Sequence, residues 1–285
     1  MIARLRINRQ LIWVFITLLF GCKPDFVSLN PVAPLTAKPA DALARIKQVV
    51  SSGDCSGLGP YYQDIVFDYD PTGRLLKDKA ARETLFQKDG ISQYNYDAGG
   101  QLVSRTTQYT APTNEGAVGE IISYTITPTS IRVQNDELRA DGSRLLGASN
   151  RANTVYTLVD GLITEVAYTY ANGPNQTSVR TDRCIYTYTN GNITKALYTG
   201  NNQTYEYTYT YDNKPNPYFG QKTVLDPILR CSRNNVINVI SVSAFGGTVY
   251  TNEFKTVYTY NEQGLPLTKK DANKGCTLTF QYEPR

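Results

Sequence analysis

The sequence contains no histidine among its 285 residues. This absence excludes Ser-His and Cys-His nucleophile pairs and every metal site that needs an imidazole ligand. Tryptophan is nearly absent, because the single copy, Trp13, lies in an apolar run near the N-terminus. No Cys-x-x-Cys pair occurs, so a zinc site of four thiolates is not expected. The sequence therefore predicts neither a metal site nor a cofactor.

Charge is also scarce. Charged residues make up 19% of the chain, and the formal net charge is +4. Arg4, Arg6 and Arg9 lie in a segment that we expect to be removed, which leaves the mature chain close to neutral. A near-neutral chain without a basic cluster does not fit a nucleic-acid-binding protein.

Tyrosine, in contrast, is abundant, with 22 copies. Between Thr204 and Asp212 it alternates with threonine or glutamate. Successive side chains of a strand point to opposite faces. The pattern therefore predicts a strand with one tyrosine face, and rigid amphipathic tyrosines suit a sugar or protein ligand. The alternative is that they form the core of a sheet. The candidate ligand face is Tyr205, Tyr207, Tyr209 and Tyr211.

The N-terminus has the pattern of a secretory signal. Arginines precede the ten apolar residues 11–20, a run too short to span a bilayer comfortably. The motif Leu19-Phe20-Gly21-Cys22 resembles the bacterial lipoprotein lipobox. This resemblance implies that Cys22 is diacylated and becomes the mature N-terminus, which would anchor the chain to a membrane. An ordinary secretory signal with an incidental cysteine is the alternative.

The remaining chain divides into a tether and a folded part. Residues 22–40 contain four prolines and little that would form a core, which predicts an extended tether. We expect residues 41–285 to form one β domain. Asp41 fits a helix N-cap, and Ile46 and Val50 fall on one helical face, so a short helix is predicted at 41–50.

Two-residue turns indicate β-hairpins further along. Residues 155–165 resemble residues 185–195, and the turn pairs Asp160-Gly161 and Asn190-Gly191 are strong hairpin signals. Such turns predict the cross-strand pairs Tyr188 with Ile193, Tyr186 with Lys195, Leu158 with Ile163, and Tyr156 with Glu165.

A second motif, Tyr-Asp-x-x-Gly-x-Leu, begins at Tyr69 and again at Tyr96. It resembles the Tyr-Asp (RHS-type) repeats of bacterial surface proteins, which are β-hairpin units. With the lipobox and the tether, the whole pattern resembles uncharacterised lipoproteins of the Bacteroidetes envelope. The resemblance implies an anchor in the outer membrane.

Four cysteines remain besides Cys22. An even number in an oxidising compartment predicts at least one disulfide, with three possible pairings, and four buried free thiols are the alternative. These candidate disulfide residues are Cys55, Cys184, Cys231 and Cys276.

The predicted fold is all-β, an antiparallel meander of hairpins with one short N-terminal helix. Polar residues on both strand faces favour an open, curved or partly rolled sheet, and a sandwich or barrel is the alternative. A transmembrane barrel is disfavoured, because most residues that alternate with tyrosine are threonines rather than aliphatics.

The predicted function is a non-enzymatic binding or adhesion module of the envelope, with a protein or glycan as its partner. A structural component that acts through exposed sheet edges is the alternative. A hydrolase is a third, remote possibility. Its candidate acids, Asp136 with Glu137 and Glu115 with Glu120, lie in expected turns without an apolar pocket to raise a pKa.

Overall fold

The structure is a computed structural model that describes residues 44–53, 55, 64–80, 89–113, 116–146, 153–171, 179–200, 203–245 and 248–284. The predicted signal segment 1–21, the tether 22–40 and the lipidation residue Cys22 lie outside the described residues.

Strands dominate the described chain. In order, they are β1 (Ala44–Ser52), β2 (Ile65–Tyr69), β3 (Leu75–Ala80), β4 (Gly90–Tyr96), β5 (Leu102–Tyr109), β6 (Ala117–Ile126), β7 (Ser130–Arg139), β8 (Arg144–Leu146), β9 (Asn153–Val159), β10 (Leu162–Ala171), β11 (Val179–Thr189), β12 (Asn192–Gly200), β13 (Gln203–Pro215), β14 (Asn234–Phe245), β15 (Thr248–Tyr260), β16 (Pro266–Asp271) and β17 (Thr277–Pro284). One short helix, α1 (Pro227–Cys231), lies between β13 and β14.

These strands form a closed antiparallel barrel. Each strand pairs with the next along the chain, except that β7 pairs with β9 beside the short β8. The ring closes because β1 pairs with both β2 and β17. Sixteen strands therefore complete the ring. The short β8 pairs with the second half of β7, whose first half pairs with β9. An even number of strands allows every neighbour in a closed ring to be antiparallel.

The prediction of an open, curved or partly rolled sheet is wrong. An open sheet would leave the outer edges of β1 and β17 unpaired, whereas these edges bond to each other from Ala44 and Pro284 to Ser52 and Thr277. The polar character of both strand faces misled the prediction. Tyrosine counts as polar, but tyrosine rings fill the interior of this barrel.

The resemblance to Tyr-Asp repeat proteins and to Bacteroidetes lipoproteins that carry them is also wrong for the fold. Both Tyr-Asp motifs do form hairpins, which join β2 to β3 and β4 to β5. In the first, the Asp70 carboxylate accepts the backbone N–H groups of Thr72 and Arg74, both at 2.9 Å. However, these hairpins are two neighbours within one closed ring and do not build an open repeat sheet.

The predicted helix at 41–50 is wrong as well, because residues from Ala44 onward form β1. Ile46 and Val49 are both buried, with 1% and 2% of their surface exposed. The pairing with β17 skips Lys47, which makes a β-bulge. The bulge places two residues three apart on the same side of a strand. Val50, which the helix prediction placed on the same face as Ile46, follows Val49 and therefore points to the opposite side of β1.

The two predicted two-residue turns adopt the required backbone. Asp160 and Asn190 have φ values of 51° and 52°, and each is followed by a glycine with φ of 78°. Leu158 pairs with Ile163, and Tyr188 pairs with Ile193, as predicted. The two outer pairs are wrong, because bulges at Thr164 and Thr194 shift the register. Tyr156 consequently pairs with Val166, and Tyr186 pairs with Ala196.

The bulges recur in a pattern that involves tyrosine. Five strands each contain a bulge, and the residue just before the bulge is not paired with the next strand. Its carbonyl is therefore free of the ladder to that strand. A tyrosine hydroxyl from that next strand donates to this carbonyl at 2.6–2.8 Å. We call these bonds tyrosine ties: Tyr69 to Ile46, Tyr96 to Leu75, Tyr188 to Ile163, Tyr211 to Ile193, and Tyr282 to Pro266.

Candidate functional site

Residues 216–233, which include α1, pack inside the barrel; we call them the inner segment. Leu225 and Ile228 pack against the main core cluster, and Tyr218 packs against a second cluster around Phe280. The buried amide of Asn216 donates to the carbonyls of Leu229 and Ser232 at 2.7 and 2.8 Å. These bonds close the inner segment on itself.

The inner segment is also bonded to the barrel wall. The fully buried Ser232 hydroxyl accepts the backbone N–H of Ile193 at 3.2 Å and lies 3.0 Å from the Tyr211 hydroxyl. The backbone N–H of Arg233 donates to Gly191 at 3.2 Å. The inner segment is therefore part of the core and fills one end of the barrel.

A cavity of about 420 Å³ remains above the inner segment, and we call it the tyrosine cavity. Its walls come from β10 to β13. Each of β10 and β13 contributes two tyrosines, and each of β11 and β12 contributes one. Its floor is formed by residues 226–228. The wall residues are Tyr168, Tyr170, Cys184, Tyr186, Ala196, Tyr198, Tyr207 and Tyr209.

The strand pairing explains why tyrosines converge there. Tyr207 pairs with Ala196, and the small alanine leaves space in front of the ring. The Tyr207 and Tyr209 rings stack with centroids 6.5 Å apart. Tyr198 pairs with Tyr205, with centroids 5.7 Å apart. The walls thus present several aromatic faces to one volume.

An ion pair stands beside the wall. The Asp182 carboxylate is 0% exposed, pairs with Arg180, and accepts the Tyr198 hydroxyl at 2.5 Å. The Arg180 guanidinium lies 5.0 Å from the centre of the Tyr170 ring. Hydrogen bonding from Arg180, followed by that from Tyr198, lowers the pKa of Asp182 against the effect of burial. The negative charge of Asp182 is therefore balanced by the positive charge of Arg180.

Asp226 is the acid on the floor. It is the N-cap of α1, and its side chain accepts the backbone N–H of Leu229 at 3.0 Å. Burial raises the pKa of its carboxyl, while bonds from Leu229 and Ile228 and the charge of Lys269 lower it less. Lys269 itself does not line the tyrosine cavity, so its charge acts on Asp226 from the side of the neighbouring strands.

Burial holds the proton on the hydroxyl groups of four wall tyrosines. Burial raises the pKa of Tyr186, Tyr207 and Tyr209, and it raises the pKa of Tyr198 to about 12. Burial likewise raises the pKa of the Cys184 thiol. The walls therefore offer neutral rings and hydroxyls, and Asp226 is the acid that lines this cavity.

A second cavity of about 430 Å³ lies among β13 to β17. The two cavities share Tyr209, Asp226 and Ile228, so these side chains stand between them. Lys269, Asp271 and Lys274 also line this mixed cavity, which therefore holds as many acids as lysines. Asp271 accepts the N–H groups of Asn273 and Lys274, so its carboxylate serves a turn.

The predicted tyrosine row lies on one inward face but has divided roles. Tyr207 and Tyr209 line the tyrosine cavity. The Tyr205 hydroxyl donates to Gln203 at 2.6 Å, and Tyr211 makes a tyrosine tie. Two of the four candidates therefore face the cavity, and the row continues into structural contacts.

The cysteines also lie in different places. Cys55 and Cys276 form a disulfide, with Cα atoms 4.8 Å apart, which joins the region after β1 to the β16–β17 turn. Cys184 and Cys231 are buried free thiols. Cys184 lines the tyrosine cavity, and Cys231 belongs to the main core cluster.

The acids considered for hydrolysis do not meet at either cavity. Glu120 accepts from Arg105 at 2.5 Å inside the barrel, and Asp136 lies 3.9 Å from Arg144. Glu115 lies outside the described residues. In the described part of the chain, no group of three His, Cys, Asp or Glu side chains is placed to hold a metal ion.

Sequence reasoning missed Asp226 and the tyrosines of β10 to β12. The Asp226-Pro227 pair is a recognisable helix start. However, the helix has only five residues, and nothing in its local sequence indicates that it lies inside a barrel. The wall tyrosines follow the alternation already seen in β13. Their convergence depends on ring closure, which local alternation does not reveal.

Comparisons with known proteins assign no family. No protein-family profile and no curated protein matches the sequence. The structure is similar to a crystal structure of a porin-like protein from Bacteroides vulgatus ATCC 8482, with 12% identity, a TM-score of 0.37, and coverage of 85% of this chain and 100% of that one. A porin-like protein from Bacteroides uniformis ATCC 8492 gives 10% identity, a TM-score of 0.35, and coverage of 84% and 98%. TM-scores this low carry no argument about function.

Among the described residues, no helix is long and apolar enough to cross a membrane.

Proposed function

We propose that this chain is a non-enzymatic binding protein of the bacterial envelope, with a small-ligand site in the tyrosine cavity. The observation that carries the proposal is the cavity itself. Six tyrosines surround about 420 Å³ over the half-buried carboxyl group of Asp226. Ligand sites of this size are typically lined by aromatic side chains with a few fixed polar groups.

A binding role fits the cavity better than catalysis. Acid–base hydrolysis needs two carboxyl groups with separated pKa values. Asp226 is the acid that lines the tyrosine cavity, and the nearby Asp182 is held by Arg180 and Tyr198. The walls contribute neutral phenols and one thiol whose pKa is raised.

The location in the envelope is part of the proposal. It is supported by the signal pattern at residues 1–21 and by the lipobox that ends at Cys22. Lipidation of Cys22 and a tether over residues 22–40 would hold the barrel beside the outer membrane. Two acyl chains give a firm anchor, whereas one chain gives marginal binding.

The short strands on one side of the ring support a place beside the bilayer. A transmembrane strand needs roughly 9–11 residues, whereas β2 has five residues and β3 and β16 have six each. The outer face carries exposed ion pairs such as Arg183 with Glu165 and Lys195 with Glu206. Charged groups on a lipid face would be costly.

The closed ring argues against the alternative function, a structural component that acts through exposed sheet edges. β-Augmentation requires an unpaired strand edge, and the closed ring pairs β1 with β17. We therefore propose a ligand site inside the barrel rather than an assembly contact along an edge.

A binding screen tests the proposal. The purified protein would be titrated by calorimetry with a panel of glycans, amines, nucleosides and peptides. We expect saturable binding of at least one class, and about tenfold weaker binding after Tyr207→Ala, because stacking on one ring contributes on the order of 1 kcal/mol or more.

The matched control is Tyr250→Ala. Tyr250 is 52% exposed and lines neither cavity, so its removal should leave the affinity unchanged. Equal losses in both variants, or no binding by any member of the panel, would contradict the proposed site. The anchor is tested separately, since Cys22→Ser should release the protein from the membrane fraction.

A further inference from the structure

We propose that the tyrosine cavity binds an organic cation, such as a quaternary ammonium or alkylated amine, with Asp226 as its counter-ion. This inference rests on the proposed ligand site and specifies its ligand class. It combines three separate features of the cavity: its aromatic faces, the sign of its charge, and the fixed position of the carboxylate.

The aromatic walls favour a cation. The face of an aromatic ring carries negative electrostatic potential, and cages of several rings recognise quaternary ammonium groups. Tyr207 and Tyr209 on β13 line the same cavity as Tyr168 and Tyr170 on β10 and Tyr186 on β11. A cation within the volume therefore meets rings from more than one strand.

The charge of the lining has one sign. Asp226 is the acid of the lining, and no lysine or arginine lines this cavity within the described residues. Arg180 is nearby, but its guanidinium is committed to Asp182. An anionic ligand would meet a carboxylate and no basic group in the lining, so the cavity selects against anions.

The carboxylate is held in place before any ligand arrives. Its bond from the Leu229 N–H fixes the side chain, and Pro227 fixes the backbone at the first position of α1. The inner segment that carries Asp226 is bonded to the wall through Ser232. Burial raises the pKa of this carboxyl, and a cation bound in the tyrosine cavity would favour its ionised form.

Choline and its neutral isostere neopentylcarbinol, in which carbon replaces the nitrogen, separate charge from shape. Both would be titrated into the purified protein by calorimetry. We expect choline to bind about tenfold more tightly than the isostere, since cation–π contacts and a counter-ion together exceed about 1.4 kcal/mol.

Asp226→Asn tests the counter-ion. Asparagine is as good an N-cap as aspartate, so α1 should persist, which circular dichroism and thermal unfolding would verify. We expect the variant to lose the preference for choline. Asp160→Asn is the matched control, because it removes the same charge at an exposed turn whose φ of 51° suits asparagine.

The outcomes separate the two proposals. Equal affinity for choline and the isostere, or an Asp226→Asn variant that keeps the preference, would overturn the inference about charge. If Tyr207→Ala still weakens binding of the isostere or of a sugar, the ligand site stands without its cationic ligand. If no probe binds, or if Tyr207→Ala changes nothing, both proposals fail together.

Discussion

At the scale of single residues, the packing beside the tyrosine cavity depends on a glycine, Gly200. Gly200 ends β12 opposite Asp182, and a Cβ atom at this position would collide with the Asp182 carboxylate. The collision cannot be relieved cheaply, because Arg180 and Tyr198 both hold that carboxylate. Glycine is therefore needed at position 200 because the Asp182 carboxylate packs against its backbone, not because of an unusual backbone angle.

We expect Gly200→Ala to lower the free energy of unfolding by about 1–3 kcal/mol, the usual cost of forcing atoms into a packed site. Urea unfolding followed by circular dichroism measures the change. Thr199→Ala, which changes the neighbouring exposed residue, should remain within about 0.5 kcal/mol of the parent. A Gly200→Ala variant as stable as Thr199→Ala would show that Asp182 can move freely.

At the scale of strands and hairpins, the tyrosine ties explain why tyrosine is used at these positions rather than phenylalanine. Each tie lies beyond the last ladder pair of two strands, at the end away from the connection between them. For example, the β10–β11 ladder stops at Glu165 and Ile185, and Tyr188 then bonds to Ile163. The tyrosine hydroxyl donates to a carbonyl that has no backbone partner in the ladder between the two strands. This bond links one hairpin to the next.

We expect Tyr188→Phe to destabilise the protein by about 1–3 kcal/mol, because it leaves the carbonyl of Ile163 without this donor. The same change at Tyr250, which is 52% exposed, should have almost no effect. Denaturant unfolding of both variants provides the comparison. Equal stabilities would mean that water replaces the hydroxyl at no cost.

Local sequence signals predicted the hairpins but not their closure. Asp160-Gly161 and Asn190-Gly191 specify turns through backbone angles that few other residues adopt, and alternation in β13 specified the inward tyrosine face. The bulges at Thr164 and Thr194 have no such local signature. Ring closure depends on the partner of β1, which lies at the far end of the described chain.

The same reasoning applies to the candidate site. Tyr207 and Tyr209 could be found from alternation, because that periodicity is local. Asp226 could not be placed, since its position inside the barrel follows from long-range contacts such as Asn216 with Ser232 and Ser232 with Ile193. Such contacts leave no periodic trace in the sequence.

At the scale of the whole molecule, the interior contains many tyrosine hydroxyls whose pKa is raised by burial. Burial raises the pKa of Tyr124, Tyr198 and Tyr211 to about 12, from an ordinary value of 10.0. The folded protein therefore holds these protons more tightly than the unfolded chain does. The associated stability is fully present below pH 10 and is lost as the pH rises toward 12.

We therefore expect the urea midpoint to fall steeply between pH 10 and pH 12, and tyrosinate absorbance to appear together with unfolding. A tenfold difference in proton affinity between the folded and unfolded chain corresponds to about 1.4 kcal/mol for a fully buried group. Tyr124→Phe should make the decline shallower, because it removes one such proton. A constant midpoint across this range would show that the interior hydroxyls ionise without penalty.

The pairing of β1 with β17 has a consequence for how the chain reaches its native state. Neighbouring hairpins can assemble as soon as their own residues are available, but the ring cannot close until β17 has been synthesised. Contacts between distant parts of a chain carry a large loop-closure entropy and slow folding. During this delay the free edges of β1 and of the growing sheet are templates for pairing with other chains. The seam between β1 and β17 is therefore the place where a chaperone would have most to protect, and where pairing with other chains would most readily divert the protein into aggregates.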